Sequence, residues 1–140
     1  MKRNLTAIIR VSGDFSDFEN NLTVRANLFK NYYSEYVEYV LVDYSEDPNN
    51  CQKFKEFCQT NAWEYVQCKN CSSLNSSRAI NEGIRYAKSE FLILEDIDLI
   101  HPANFYKEIH KKLLENWNVR GFNFYTIPVV YLNQSESNKI

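Results

Sequence analysis

Four short apolar runs, at residues 5–11, 37–43, 63–68 and 91–94, alternate along the chain with longer stretches in which apolar residues recur every three or four positions. The first run is rich in β-branched side chains and reads as a strand, ended by Ser12-Gly13-Asp14. Ser16 and Glu19 then have capping-box spacing, and Phe18, Leu22, Leu28, Phe29 and Tyr32 fall near one face, so a helix is expected over about 17–33. The second strand is closed by Asp43-Tyr44-Ser45-Glu46-Asp47-Pro48, with a helix expected over about 49–60. The third strand leads through a polar stretch, 70–75, to a helix over about 77–88 with Ile80, Ile84 and Ala87 as its apolar stripe. The fourth run has no polar interruption and reads as a strand buried on both faces. Beyond it, Pro102 suits a first helical position, and Phe105, Ile109, Leu113 and Trp117 repeat every four residues. Residues 122–132 read as a last extended segment with Pro128 at an edge or bend, and 134–140 as a frayed tail.

Strands alternating with helices of this length predict an α/β fold, a three-layer αβα sandwich around a mainly parallel sheet. Residues 1–133 are expected to form a single domain. Ligands of such sheets bind beyond the carboxyl ends of the strands, where the strand order reverses. With the order 3-2-1-4, that crevice lies between the first and fourth strands. Gly13 and Asp14, Asp43 and Ser45, and Asp96 and Asp98 would then share one edge.

The fourth strand runs straight into Glu95-Asp96-Ile97-Asp98. Unpaired carboxylates are costly to bury, so these acids are expected where the strand leaves the sheet. Alternate side chains share a face in extended chain, which directs Asp96 and Asp98 to one crevice while Ile97 turns to the core. Glu95 is in phase with Ile97 and is expected to be structural or solvent-facing. Two hard oxygen ligands suit Mg2+ or Mn2+, which completes its shell with water and substrate phosphates. Acid pairs also end strands for simple turn propensity, so the triplet carries weight only through its surroundings.

Composition narrows the partners. A net charge of −2 offers no basic field for tracking a nucleic-acid backbone. Arg78, Arg85 and Lys88 stand singly near the acids in sequence, enough for one diphosphate and not for a polymer. No apolar run is long enough to span a bilayer and the N-terminus lacks a cleavage-site pattern, so the chain reads as cytoplasmic. Of the four cysteines, Cys68 and Cys71 alone have zinc-like or redox spacing, and buried free thiols are the expected state. His101 and His110 are expected at the surface or in packing.

The segment Arg78-Ala79-Ile80-Asn81-Glu82-Gly83, an alanine at 87, and a strand ending in Asp96-Ile97-Asp98 together resemble family 2 glycosyltransferases of the GT-A (nucleotide-diphospho-sugar transferase-like) fold, whose donor-binding half carries R-x-x-N-x-G followed by D-x-D. The resemblance covers nearly the whole chain. It implies a UDP-sugar donor, a divalent cofactor (Mn2+ or Mg2+), and transfer of a hexosyl group to a saccharide or lipid-linked saccharide acceptor in surface polysaccharide synthesis. By position it makes Asp98 the principal metal ligand, with Asp96 near the ribose or on the same ion through water. Asp43 would accept from the base, with Ser45 beside it, Arg78 and Asn81 would serve the nucleotide sugar, and Arg10 and Ser12 would line the nucleoside cleft. Relatives continue into an acceptor-binding half that supplies the catalytic base, whereas this sequence stops soon after Tyr131. A truncated chain, or an acceptor site supplied by a partner chain or second copy, is therefore expected, and no catalytic base is assigned. The alternatives are a non-catalytic module of the same fold serving assembly or regulation and, last, a receiver- or phosphatase-type domain. The latter needs an acid at the end of the first strand, where Asp14 comes only after Ser12-Gly13.

Overall fold

The structure, a computed structural model, describes residues 5–69, 71 and 76–120, with side chains as far as residue 115. The expected segment 122–132 and tail 134–140 lie outside the described residues. Four parallel strands, β1 (Leu5–Val11), β2 (Val37–Asp43), β3 (Glu64–Gln67) and β4 (Phe91–Glu95), form a sheet in the order β3-β2-β1-β4. Leu5 lies opposite Val37 on one side and Phe91 on the other, and Ile9 opposite Leu41 and Glu95. Helices α1 (Phe15–Leu28), α2 (Pro48–Thr60), α3 (Ser76–Tyr86) and α4 (Phe105–Arg120) complete the alternation, with a π-helical segment, Phe29–Tyr33, prolonging α1.

β1 and β2 are buried on both faces, which is why apolar residues stand at successive positions in both, Ala7-Ile8-Ile9 and Tyr39-Val40-Leu41-Val42. Leu5, Ala7, Ile9 and Val11 meet Tyr39 and Leu41 and the residues of α1, α2 and α4 on one face. Ile8, Val40, Val42 and Val66 meet α3 through Ala79 on the other. The first face is filled largely by rings. Phe29 lies 5.1 Å from Tyr39, Trp63 4.7 Å from Tyr39 and Tyr33 4.8 Å from Tyr106, mostly edge to face.

Several local expectations are corrected. α1 begins at Phe15, two residues before the expected start, and Ser16 and Glu19 are exposed. Its N-cap, Asp14, makes no side-chain cap bond; instead Asn50 of α2 accepts from the Phe15 N–H at 2.9 Å and donates to Asp14 Oδ1 at 3.0 Å. Packing of Phe15 on Phe54, 5.1 Å between ring centres, sets the entry. A partner from another helix thus replaces the local cap. α2 does use its own signal, Asp47 accepting from the Asn49 N–H with Pro48 in the first turn.

α3 is rolled by about one residue from the expected stripe: Ala79 and Gly83 face the sheet, while Ile84 is 40% exposed. A Cβ at Gly83 would stand 2.6 Å from Ile8 Cγ2 and 2.9 Å from Val42 Cγ2, so glycine is what lets this helix lie so close. β4 is open on one side, with Leu92 and Leu94 40% and 56% exposed, rather than buried on both. The reason is that α3 lies over β1, β2 and β3 and, among the described residues, leaves that face of β4 uncovered. Pro102 precedes α4 by a turn, its carbonyl accepting from the Phe105 N–H at 3.0 Å. Phe105, Ile109 and Leu113 pack on the core as the four-residue repeat requires. Cys51 and Cys58 are buried free thiols as expected; Cys68 and Cys71 are instead joined by a disulfide. Among the described residues no helix is long and apolar enough to cross a membrane.

Candidate nucleotide and metal site

All four strands end at one edge, and the helices that follow β1, β2 and β3 start there. The first two strand ends are laced together. The Tyr44 N–H donates to the Val11 carbonyl at 3.0 Å, the Gly13 N–H to Ser45 Oγ at 3.1 Å, and the Ser45 hydroxyl back to the Gly13 carbonyl at 3.3 Å. Gly13 has φ +120°, a left-handed value that favours glycine and turns the chain from β1 towards α1. Ser12 Oγ lies 3.5 Å from the Tyr44 carbonyl. Ser12, Asp43 and Ser45 therefore belong to one constellation.

Asp43 is fully buried at the end of β2, accepting from the Ser45 N–H at 2.8 Å and the Tyr65 hydroxyl at 2.8 Å. Burial and this carboxylate push the Tyr65 phenol up, so it stays a donor. Beside them a cavity of about 430 Å3 is lined by Pro48, Cys51, Gln52, Lys55, Tyr65 and Gln67.

On the other side of β1, away from that cavity, Arg10 near the end of β1 reaches Asp96 just past β4, Nη2 to Oδ1 3.1 Å. With the Asp96 side chain 67% exposed, the pair is worth about 0–1 kcal/mol and is readily exchanged for another partner. Asp98 is exposed two residues on, in a turn closed by the Leu99 N–H donating to the Asp96 carbonyl at 3.2 Å. Among the described residues no group of three or more His, Cys, Asp or Glu could hold a metal ion. Two exposed carboxylates make no closed cage, but they fit the open site of a hard cation that takes its remaining oxygens from water and phosphate. Arg78 and Asn81 occupy exposed positions in the first half of α3. Arg85 and Lys88, near the acids in sequence, lie towards the far end of that helix, where Arg85 pairs with Glu82 and Lys88 with Glu64.

Beneath the acidic turn lies a buried ionic cluster. Glu95 is 4% exposed and Arg25, from α1, is 2% exposed. Arg25 Nη1 donates to Glu95 Oε2, while Nη2 donates to the carbonyls of Asp96, at 2.9 Å, and Leu99. The Tyr106 hydroxyl donates to both Glu95 oxygens, at 2.8 and 2.9 Å; its one proton being so used, Tyr39, 2.8 Å away, donates to it. His101 Nε2 stands 3.4 Å from Glu95 Oε1 without hydrogen-bond alignment, so it acts on the carboxylate as a nearby charge when the ring is protonated. Its ring is stacked on Phe105 at 3.8 Å, the packing role expected of it. Burial alone would raise the Glu95 carboxyl; His101, Arg25 and Tyr106 outweigh it and hold the group below the ordinary value of 4.5. Of the two readings open for Glu95, the structural one holds. Arg25 was not singled out from the sequence, yet it falls at a position of the α1 stripe between Leu22 and Phe29, and a charge in an apolar stripe is the signal that could have found it.

The fold is α/β of the GT-A type, a parallel sheet between helices. Two solved structures of S. aureus TarS superpose on 81% of the chain with a TM-score of 0.60 and 17% sequence identity. The chain spans 20% of the longer of these and 33% of the other, a portion covering residues 1–349. No protein-family model matches the sequence, and no curated protein does.

Proposed function

We propose that the chain is a donor-binding glycosyltransferase domain that takes a UDP-sugar together with Mn2+ or Mg2+ and passes a hexosyl group to a saccharide or lipid-linked saccharide acceptor in surface polysaccharide synthesis. The observation that carries this reading is the placing of Asp96 and Asp98 past the carboxyl end of β4, beside the laced ends of β1 and β2, where the strand order reverses. Asp98 is the principal metal ligand and Asp96 its neighbour on the ribose side. A divalent ion bound there offsets the charge that develops on the departing diphosphate. Arg10, released from Asp96, is free to turn to a phosphate oxygen. Asp43 keeps a second lone pair on each oxygen, which leaves it acceptor capacity for an imide N–H. Ser12 and Ser45 line the nucleoside cleft, and Arg78 and Asn81 approach from the start of α3.

Isothermal calorimetry tests this directly. UDP is expected to bind in the presence of Mn2+ and to lose that binding in Asp98→Ala; absence of heat from wild type with UDP or UDP-sugars and metal present would overturn the reading. A second reading is a non-catalytic module of the same fold that keeps the nucleotide site. Release of sugar from a UDP-sugar, lost in Asp98→Ala, dismisses it.

A further inference from the structure

Arg25 stands out because it is the wrong residue for its place. It sits on the buried stripe of α1, and a guanidinium 2% exposed is a heavy desolvation load for a helix that could have used leucine there. Its partners explain where that load is used. Nη1 takes the Glu95 carboxylate, the last residue of β4, while Nη2 forks to the carbonyls of Asp96 and Leu99. Those two carbonyls bracket the turn that carries Asp96 and Asp98, whose internal bond runs from the Leu99 N–H to the same Asp96 carbonyl. The guanidinium is thus fixed at the strand end and at both ends of the turn. Among the described residues Nε is buried without a partner, so the polar contacts that orient the group are those of the end nitrogens.

We infer that Arg25 is a positioning residue for the acidic turn, holding its backbone from inside the core so that the Asp96 and Asp98 side chains keep one geometry towards a divalent cation. The inference rests on the proposed metal site and assigns the determinant of its geometry to a side chain that points away from it. Two carboxylates on a short turn have no rigidity of their own. Ligand groups must be held to about half an ångström to bind well, and loss of such a supporting partner typically lowers metal affinity about 10–100-fold. Because Glu95 neutralises Arg25, the pair contributes little net field at Asp98, and its influence is geometric. The remaining supports point the same way: Tyr106 fixes Glu95 from α4, and the Tyr33 hydroxyl donates to the His101 carbonyl just beyond the turn.

The test uses the double variant Arg25→Met with Glu95→Gln, which removes both buried charges and leaves an amide oxygen as an acceptor for Tyr106, together with Arg25→Lys, which keeps the charge but lacks the planar fork. Two readouts are taken on the whole chain: hydrogen exchange at the Leu99 amide without metal, and Mn2+ affinity from the free-ion paramagnetic resonance signal. The double variant is expected to exchange Leu99 at least about tenfold faster than wild type and to bind Mn2+ about 10–100-fold more weakly, with Arg25→Lys between the two. A merely structural role would speed exchange across the whole sheet and leave the Mn2+ affinity of the folded fraction unchanged, and that result overturns the inference. So does wild-type Leu99 protection in a folded double variant or, if the double variant does not fold, wild-type values for both readouts in Arg25→Lys. Should wild type itself bind no Mn2+, the proposed function fails, while the exchange measurement still decides whether Arg25 holds the turn.

Discussion

Glu95 and Asp96 are adjacent carboxylates with opposite surroundings, and the difference follows from strand alternation. Glu95 points to the face shared with α1 and α4 and meets Arg25 and Tyr106; Asp96 is exposed and, among the described residues, meets Arg10. The sign of the pH effect is set by Glu95, whose carboxyl is held below 4.5 in the folded chain. Its contribution to stability is complete above the unfolded value and is lost as the pH falls through the depressed folded one. Glu95→Gln is expected to lose about 3–5 kcal/mol at pH 7, since it leaves the buried Arg25 charge uncompensated. Its deficit against wild type should narrow in urea titrations carried below pH 4.5. Parallel stability profiles of the two proteins across that range would show that Glu95 does not titrate as described. Asp98→Ala, exposed and outside this network, should leave the unfolding free energy within about 0.5 kcal/mol of wild type while abolishing Mn2+-dependent UDP binding.

At the scale of elements, the sheet's two faces are covered by different means. One is filled by rings from α1, α2 and α4, and the other by a helix that comes close because Ala79 and Gly83 offer no bulk. Gly83→Ala is therefore expected to destabilise by about 1–3 kcal/mol in chemical denaturation, although alanine is the better helix former. The clash is with methyl groups of Ile8 and Val42, which are themselves packed and cannot swing aside. A neutral or stabilising result would mean that α3 stands further from the sheet than described. Leu94→Ser, at a position 56% exposed on the open face of β4, should change stability by no more than about 0.5 kcal/mol, whereas Leu41→Ala, fully buried in β2, should cost about 2–5 kcal/mol. Equal effects would show that the open face of β4 is covered in solution.

For the whole molecule, the parallel arrangement matters because it gathers residues 86 positions apart, such as Arg10 and Asp96, on one rim. A ligand that bridges the ends of β1, β2 and β4 binds the folded chain alone and must raise its stability by mass action. Saturation to about a hundred times the dissociation constant contributes about 2.7 kcal/mol. The melting temperature is expected to climb with UDP concentration only when Mn2+ or Mg2+ is present, and a scan of UDP-glucose, UDP-galactose and their N-acetyl forms should rank the donor sugars. A rise that is the same with metal removed by chelation would count against the carboxylate pair as its site.

Alternation of apolar runs with helical periods was enough to set the α/β class and the mainly parallel sheet, because these follow from short-range periodicity and from the geometry of parallel crossovers, whereas the order 3-2-1-4 entered only as a condition that the structure meets. The placing of Ser12, Asp43, Ser45 and Asp96 at or just past strand ends was legible for the same reason. What the tertiary structure decided were matters between elements. Asn50 caps α1 from another helix, α3 rolls so that Gly83 meets Ile8, and β4 is left half open by the position of α3. Arg25 meets Glu95 seventy residues away, and Tyr65 takes the buried carboxylate of Asp43. Each of these turns on which distant group fills a given space or accepts a given proton, and local pattern carries no term for that, since a side chain's energy depends on partners that only the packed chain brings within reach.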